Sequence, residues 1–296
     1  MRSCIGKTAI ITGANIGLGF ETALHLARKG MTIILACRNI YKAEGARQSI
    51  LIMYPKSSVH VMQLDTSSME SVKAFAAEFS KRFQKLDLLV NNAGIMMSPY
   101  HKTEDGFENQ LATNYLGHFA LTGLLLPHLL KTPESRVVTV SSLAHAWSNI
   151  QLDDLHFEKG YDKRKAYGQS KLACLMFAYE LDRRLKEYEQ QTVSVAAHPG
   201  ASHSNLAQHL PRLLRWLSPL VGQSAEAGAQ PTLYAGLSPY IKGGEYIGPD
   251  GFREWRGNPV VVSSSQASRN QKVAEALWHK SEEMTGVKYD FEVLVM

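Results

Sequence analysis

The sequence has few of the features that mark secreted, disulfide-bonded or membrane-spanning proteins. It contains only three cysteines, Cys4, Cys37 and Cys174, at unrelated spacings. An odd number of scattered thiols argues against a disulfide framework and favours a reducing, cytoplasmic location. No run of 18 or more apolar residues occurs, so we expect no transmembrane helix. The residues before Thr8 leave no room for the apolar core of a signal peptide.

Patterns typical of metal sites and nucleic-acid surfaces are also missing. None of the eleven histidines lies in a zinc-ligand spacing. The formal net charge is only +5, and the densest basic run, from Lys159 to Lys165, is interrupted by Asp162. A solvated helix entrance explains this run at least as well as a nucleic-acid patch does. We therefore expect neither a bound metal nor a nucleic-acid partner.

Short β-branched runs alternate with longer helical patterns along the first part of the chain. This alternation predicts an α/β fold, a Rossmann-type doubly wound parallel sheet of about seven strands with helices on both faces. Between the third and fourth strands, Ser67 followed by Glu70 predicts a helix that begins with a capping box. The predicted strands that can be placed are 8–12, 32–36, 59–64, 86–91, 136–140 and 192–197.

The chain lacks repeats and low-complexity linkers, which favours a single domain over residues 1–296. Residues 201–222 are rich in Leu, Pro and Trp. This segment is either an apolar lid beside a ligand cleft or a packed surface helix, and the sequence does not choose between them. Residues 257–296 form a C-terminal extension with a terminal helical pattern around 266–284.

A glycine-rich turn, Thr12 to Gly19, joins the first strand to its helix. Glycines allow a tight turn and a close approach of backbone N–H groups to phosphate, while the following helix N-terminus favours an anion. A turn without a ligand is the alternative. The predicted dinucleotide-binding residues of the turn are Gly13, Asn15, Ile16, Gly17 and Gly19.

The second strand ends at Arg38, with Lys42 one helical turn later. An acid at this strand end would bind the ribose 2′-hydroxyl of NAD, whereas Arg accommodates the 2′-phosphate of NADP. A guanidinium can also pair with phosphate in bidentate fashion. We therefore predict NADP(H) as the preferred cofactor and NAD as the alternative. A solvated loop position for Arg38 is the competing interpretation.

Tyr167 and Lys171 lie four residues apart in a helical pattern and therefore on one helix face. An isolated tyrosine is a poor base near neutral pH. A neighbouring ammonium group stabilises the phenolate, as does a positively charged nicotinamide ring. Tyr167 is thus a candidate general acid for ketone reduction and a general base for alcohol oxidation. Taken alone, this spacing is common and usually structural.

Taken together, the motifs closely resemble the short-chain dehydrogenase/reductase family over essentially the whole chain. Segments 140–145 and 243–246 look most like its retinol-dehydrogenase-like branch, which acts on retinoids and other lipophilic carbonyls. The motifs that carry the resemblance are Thr12 to Gly19, Asn91 to Gly94, Ser142, Tyr167 with Lys171, and Pro199-Gly200.

The resemblance implies four catalytic residues. Tyr167 exchanges the proton, and Lys171 assists it and hydrogen-bonds the nicotinamide ribose. Ser142, rather than its neighbour Ser141, polarises the substrate oxygen. Asn114 keeps a water beside the lysine for proton relay, unless it only bonds a helix backbone.

Further cofactor-binding residues follow from the same resemblance. Asp65 contacts adenine, with a helix N-cap as its competing role. Asn91 and Gly94 lie beside the adenosine ribose, although Asn91 is also explained as a structural residue. Pro199 and Gly200 open the nicotinamide-side motif. Ser204 occupies the position of this motif at which the family usually has threonine. His198 and His203 are interpreted as structural or peripheral residues.

The implied function is hydride transfer between nicotinamide and a lipophilic small molecule that carries a carbonyl or alcohol group. A cofactor-binding regulator with little turnover and an epimerase or dehydratase on the same scaffold are the alternatives. The resemblance also implies a homodimer or homotetramer, unless the C-terminal extension blocks or replaces that interface.

Overall fold

The computed structural model describes residues 4–201 and 223–292. Its centre is an eight-stranded sheet with the order β3-β2-β1-β4-β5-β6-β7-β8. The first seven strands run parallel, and β8 is antiparallel to β7. The strands are β1 (Thr8–Thr12), β2 (Thr32–Cys37), β3 (Val59–Gln63), β4 (Leu88–Asn91), β5 (Arg136–Val140), β6 (Val193–Ala197), β7 (Tyr246–Pro249) and β8 (Pro259–Val261).

Helices cover both faces of the sheet and bury its apolar strands. Helices α1, α2 and α7 pack on one face, and α3, α5, α6 and α8 pack on the other. A short π-helical segment, Ala112–Leu116, connects α4 to α5. The helices are α1 (Gly17–Arg28), α2 (Ile40–Met53), α3 (Met69–Arg82), α4 (Asn109–Leu111), α5 (Gly117–Leu130), α6 (Lys163–Glu187), α7 (Ala225–Leu237) and α8 (Gln271–Thr285).

The strand order reverses between β1 and β4. The chain first builds outward from β1 to β2 and β3, then returns to the other side of β1 with β4. In open parallel sheets with right-handed crossovers, ligands bind in the crevice at such a switch point, outside the carboxyl ends of the strands. The glycine turn after β1 and the segment after β4 both lie at this edge.

The predicted fold class is confirmed, with one additional strand. β8 is a three-residue antiparallel edge strand in the C-terminal extension, and it is too short for a clear alternating pattern. The predicted capping box was wrong by one residue. Ser68 caps α3 and accepts from the Ser71 amide, while the Ser67 hydroxyl donates to Asp65 instead.

The C-terminal extension packs against the sheet-covering helices α5 and α6. Trp278 of α8 is buried, and its ring lies 5.0 Å from Phe119 and 5.9 Å from Phe177. The predicted lid falls almost entirely on residues 202–222, which lie outside the described residues. Among the described residues, no helix combines the length and apolar character needed to cross a bilayer.

Candidate active site

Helix α6 carries Tyr167 and Lys171 to the carboxyl edge of β5. The side chain of Asp162 caps its N-terminus by accepting from the amides of Arg164 and Lys165. A Cβ on Gly168 would lie only 3.0 Å from the Ala144 carbonyl oxygen, so glycine permits close packing against the turn after β5. The ring centroid of Tyr167 lies 6.2 Å from that of Trp147, which belongs to the same turn.

Tyr167 and Lys171 are both almost completely buried, with exposed fractions of 4% and 5%. The Lys171 ammonium donates to the Val140 carbonyl at 3.0 Å, which ties α6 to the end of β5. A buried ammonium with a fixed hydrogen bond keeps its place on the helix face that it shares with Tyr167. One helix face thus carries a phenol and an ammonium group, the pair that proton exchange with an alcohol or carbonyl would use.

The structure separates the roles of the two adjacent serines. The Ser141 hydroxyl is buried and donates to the Lys171 carbonyl at 2.7 Å. Ser142 is half-buried, and its hydroxyl oxygen accepts from the Ala144 amide at 3.1 Å. The Ser142 hydroxyl proton can still be directed at a substrate oxygen, whereas that of Ser141 is already engaged.

Asn114 lies in the π-helical segment and connects three parts of the site. Its amide oxygen accepts from the Ile95 amide at 2.8 Å, and its amide nitrogen donates to the Ile95 carbonyl and to the Ser170 hydroxyl. A Cβ on Gly94 would lie 3.1 Å from the Asn114 side chain and 3.5 Å from the Lys171 ammonium. Gly94 and Asn114 therefore lie beside Lys171, while the relay water stays a prediction.

The glycine turn has the backbone geometry of a phosphate cradle. Gly13 and Gly17 have φ values of 65° and 60°, which favour glycine. A Cβ on Gly19 would lie 2.6 Å from both the Gly13 carbonyl oxygen and the Asn92 side chain. Ile16, at the N-cap of α1, supplies no side-chain cap, so the first amides of the helix are available to an anion.

A neutral thiol lies beneath this cradle. The backbone amides of Ala14 and Asn15 reach the buried Cys37 sulfur, and burial raises the pKa of Cys37 to about 11. Because the thiol stays protonated near neutral pH, it would not repel a pyrophosphate bound at the cradle. The structure therefore fits a dinucleotide phosphate, since the amides and the glycine gap are present without an opposing charge.

The charged residues predicted for the adenosine end of the cofactor lie close to one another. Arg38 Nη1 lies 3.7 Å from Asp65 Oδ2, and the Arg38 side chain is 73% exposed. The other Asp65 oxygen accepts from the Ser67 amide and hydroxyl. An N-cap role for Asp65 is wrong, because Ser68 fills that position. Lys42 is exposed in the first turn of α2.

The remaining predicted residues differ in what surrounds them. Asn91 is buried and donates to the Thr122 hydroxyl at 3.0 Å, which favours its structural interpretation. Gly200 has a φ of 63°, and a Cβ there would collide with the Trp255 carbonyl, so the turn after Pro199 requires glycine. Ser204 and His203 lie outside the described residues.

The family model for short chain dehydrogenases matches residues 7–212. This chain belongs to the short-chain dehydrogenase family. It is 42% identical to human retinol dehydrogenase 12 over 290 residues, which cover 96% of this chain and 88% of that protein. It is 40% identical to human retinol dehydrogenase 14, over 95% of this chain and 87% of that protein. The sequence resemblance to the retinol-dehydrogenase-like branch is confirmed.

A crystal structure of an uncharacterised protein from Mycobacterium Paratuberculosis has the same fold. It superimposes with a TM-score of 0.83 at 41% identity, over 98% of this chain and 97% of that one. Levodione reductase is more distant, with a TM-score of 0.69 and 20% identity over 84% of this chain, and it supports the fold alone. As a member of this family, the protein is an oxidoreductase that acts on CH–OH groups with NAD(P).

Sequence reasoning missed a buried network that joins the glycine turn to Asn114 of this short-chain dehydrogenase. The Thr12 hydroxyl oxygen accepts from the amides of Asn92 and Ala93, each at 2.8 Å. It also lies 2.8 Å from His118 Nε2, while His118 Nδ1 lies 2.9 Å from the Asn114 carbonyl. The threonine at the carboxyl end of β1, directly before the glycine turn, was the available signal.

Proposed function

We propose that this short-chain dehydrogenase uses NADP(H) to interconvert a lipophilic alcohol and its carbonyl compound. The observation that carries the proposal is the burial of Tyr167 and Lys171 on one face of α6, beside Ser142 and at the same sheet edge as the glycine turn. This arrangement provides a proton donor, its charged neighbour and a hydroxyl for substrate oxygen beside one cofactor cleft.

The side chains divide the chemistry between them. Bound nicotinamide supplies or accepts the hydride. Ser142 orients the substrate oxygen, and Tyr167 gives its proton to that oxygen during carbonyl reduction or removes it during alcohol oxidation. Lys171, held by the Val140 carbonyl, stabilises the phenolate that remains.

The preference for NADP(H) rests on charge at the adenosine end. Arg38 is exposed and pairs only at 3.7 Å with Asp65, so the guanidinium can turn toward a 2′-phosphate at little cost. Lys42 adds a second positive charge one helical turn away. Asp65 orients Arg38 and remains available for the adenosine moiety. NAD lacks the phosphate that these cations would bind.

The lipophilic substrate rests on two observations of different kinds. The similar curated proteins carry the name retinol dehydrogenase, so their substrates include an apolar polyene alcohol. The segment 201–222, which follows the Pro199–Gly200 turn directly, is rich in leucine. We propose that the substrate is an apolar alcohol or carbonyl compound. We also propose that the three buried thiols reflect a cytoplasmic setting.

A substrate panel tests the proposal. NADPH oxidation would be followed with retinal, medium-chain aldehydes and a matched set of short polar aldehydes. We expect turnover of the apolar members and little turnover of the polar ones. The absence of turnover together with tight NADPH binding would favour a regulator, and a preference for polar aldehydes would overturn the lipophilic assignment.

A further inference from the structure

A buried histidine and a glutamate lie directly behind the Pro199–Gly200 turn. His198 is completely buried, and its Nε2 lies 3.0 Å from Glu254 Oε2. The Gly200 amide donates to His198 Nδ1 at 3.2 Å. Because a backbone amide can only donate, Nδ1 carries no proton, and Nε2–H donates to the carboxylate. The hydrogen bonds thus define a neutral imidazole held between Glu254 and the turn.

The neighbouring backbone is shaped to admit this pair. A Cβ on Gly248 would collide with His198 Nε2, so β7 needs glycine where the imidazole crosses it. Arg253 and Glu254 both have positive φ values, 50° and 57°, which residues with side chains rarely adopt. Two consecutive residues with positive φ indicate a strained backbone that the surrounding structure stabilises. In this conformation, the Glu254 side chain reaches His198.

The same segment fixes other polar groups of the turn. The Ala201 amide donates to the Trp255 carbonyl at 2.8 Å. On the opposite side, the Gln223 side chain donates to the Pro199 carbonyl at 2.7 Å. The turn is therefore bonded by the Trp255 carbonyl and the Gln223 side chain, and Glu254 acts on it through His198.

We infer that Glu254 and His198 are positioning residues that hold the Pro199–Gly200 turn for the nicotinamide half of the cofactor. The inference rests on the proposed function, because that function places nicotinamide at the end of β6, near Ser142. Neither residue needs to touch the cofactor. Glu254 fixes the tautomer and orientation of His198, and His198 fixes the Gly200 amide, so the turn meets the ligand already ordered.

The experiment compares two ligands that share an adenosine end. NADPH and adenosine 2′,5′-bisphosphate would be titrated against wild type, Glu254→Ala and Glu254→Gln. We expect Glu254→Ala to weaken NADPH binding about tenfold while leaving the bisphosphate within about twofold, since only NADPH carries nicotinamide. Glu254→Gln keeps an acceptor oxygen for His198 and should recover most of the affinity.

Glu245→Ala is the matched control, because the carboxylate of this glutamate accepts from the nearby Lys242 amide. It should leave both affinities unchanged. Equal weakening of both ligands by Glu254→Ala would indicate general destabilisation and overturn the inference. Unchanged NADPH binding in Glu254→Ala would overturn it as well.

Amide hydrogen exchange separates this inference from the proposed function. In the protein without ligand, Glu254→Ala should raise the exchange rate of the Gly200 amide at least about tenfold, because its acceptor is no longer fixed. Gly248→Ala should do the same by displacing the imidazole. A wild-type protein that binds neither ligand would defeat the proposed function. Unchanged Gly200 exchange in both variants would defeat the positioning role, whatever the ligand results.

Discussion

At the proposed adenosine end of the cleft, Arg38 is 73% exposed, whereas at the proposed nicotinamide end Tyr167 and Lys171 are 4% and 5% exposed. Arg38 makes one long ion pair, while Lys171 has a fixed bond to a backbone carbonyl. The exposed end can exchange one partner for another without disturbing the fold. The buried end is ordered before any ligand arrives, as proton transfer requires.

The comparison teaches that affinity and chemistry are separable in this molecule. In the proposed function, charges at a solvated edge bind and select the cofactor, whereas each contributes little to stability. The hydrogen bonds of the buried end also join helices to strands, so these groups contribute to stability as well as to the proposed reaction. Substitutions at the two ends should therefore change different measurements.

The largest effect should come from Tyr167→Phe. We expect turnover to fall by about 10³-fold, because the proton-transfer group is removed, while the ring keeps its contact with Trp147. NADPH affinity should change by less than about twofold, as a fluorescence titration would measure. Tyr179→Phe, on the same helix, removes a hydroxyl that donates to Ser264 and serves as the control. Comparable turnover in the two variants would remove Tyr167 from its role.

Asn114→Ala should mainly reduce stability. The variant leaves the Ile95 amide and carbonyl and the Ser170 hydroxyl without their partner in a buried site. We expect the free energy of unfolding to fall by about 3 kcal/mol, measured by urea denaturation. Thr113→Ala, next along the same segment, loses only a 3.4 Å contact and should cost less than about 1 kcal/mol. A smaller loss for Asn114 than for Thr113 would contradict the network.

His118 should make stability depend on pH. Burial lowers its pKa from 6.5 to about 4, and the Lys171 charge acts in the same direction. Below pH 6.5, His118 binds a proton in the unfolded chain but not in the folded protein. The free energy of unfolding therefore decreases as the pH falls toward 4. From pH 7 to pH 5 this residue should account for about 2 kcal/mol.

The measurement for His118 compares unfolding of wild type and His118→Gln at pH 7 and pH 5. Burial also lowers the pKa values of His60, His145 and His156, so wild type and variant will both lose stability. Between pH 7 and pH 5, the free energy of unfolding should fall by about 2 kcal/mol less in His118→Gln than in wild type. Equal losses in wild type and variant would mean that the pKa of His118 does not differ between the folded and unfolded states.

Arg38→Ala should give the smallest effect and the most selective one. We expect NADPH affinity to fall about tenfold, NADH affinity to stay unchanged, and stability to change by less than about 0.5 kcal/mol. Arg28→Ala, at the exposed end of α1, is the control for a general loss of positive charge. Equal weakening of both dinucleotides would show that Arg38 does not distinguish the 2′-phosphate.

The sequence predicted elements well where the signal was local. Strands β1 and β5 were predicted at their observed bounds, since a buried parallel strand reads as a continuous apolar run. The start of α3 was missed by one residue, because Ser67 and Ser68 are both capable caps. Their choice depends on Asp65, whose carboxylate engages the Ser67 hydroxyl.

In the candidate site too, features with a local sequence signal were predicted and those that depend on distant residues were not. The spacing of Tyr167 and Lys171 predicted a shared helix face, because helix geometry is set by the backbone alone. Between Asn91 and Asn92, sequence reasoning selected the first, whereas the structure places the second against the glycine turn, where its side chain donates to the Thr12 carbonyl. Nothing in a doublet of identical residues indicates which side chain points to the turn.

By itself, the sequence determined the α/β alternation, the glycine turn and the Tyr167–Lys171 pair, because each depends on backbone conformation over a few neighbouring residues. Only the tertiary structure decided that His198 meets Glu254, or that His118 joins Thr12 to Asn114. Those partners are far apart in the chain. They become neighbours because a parallel sheet brings the carboxyl ends of its strands to one edge, where buried polar groups must find hydrogen-bond partners among whatever the fold places beside them.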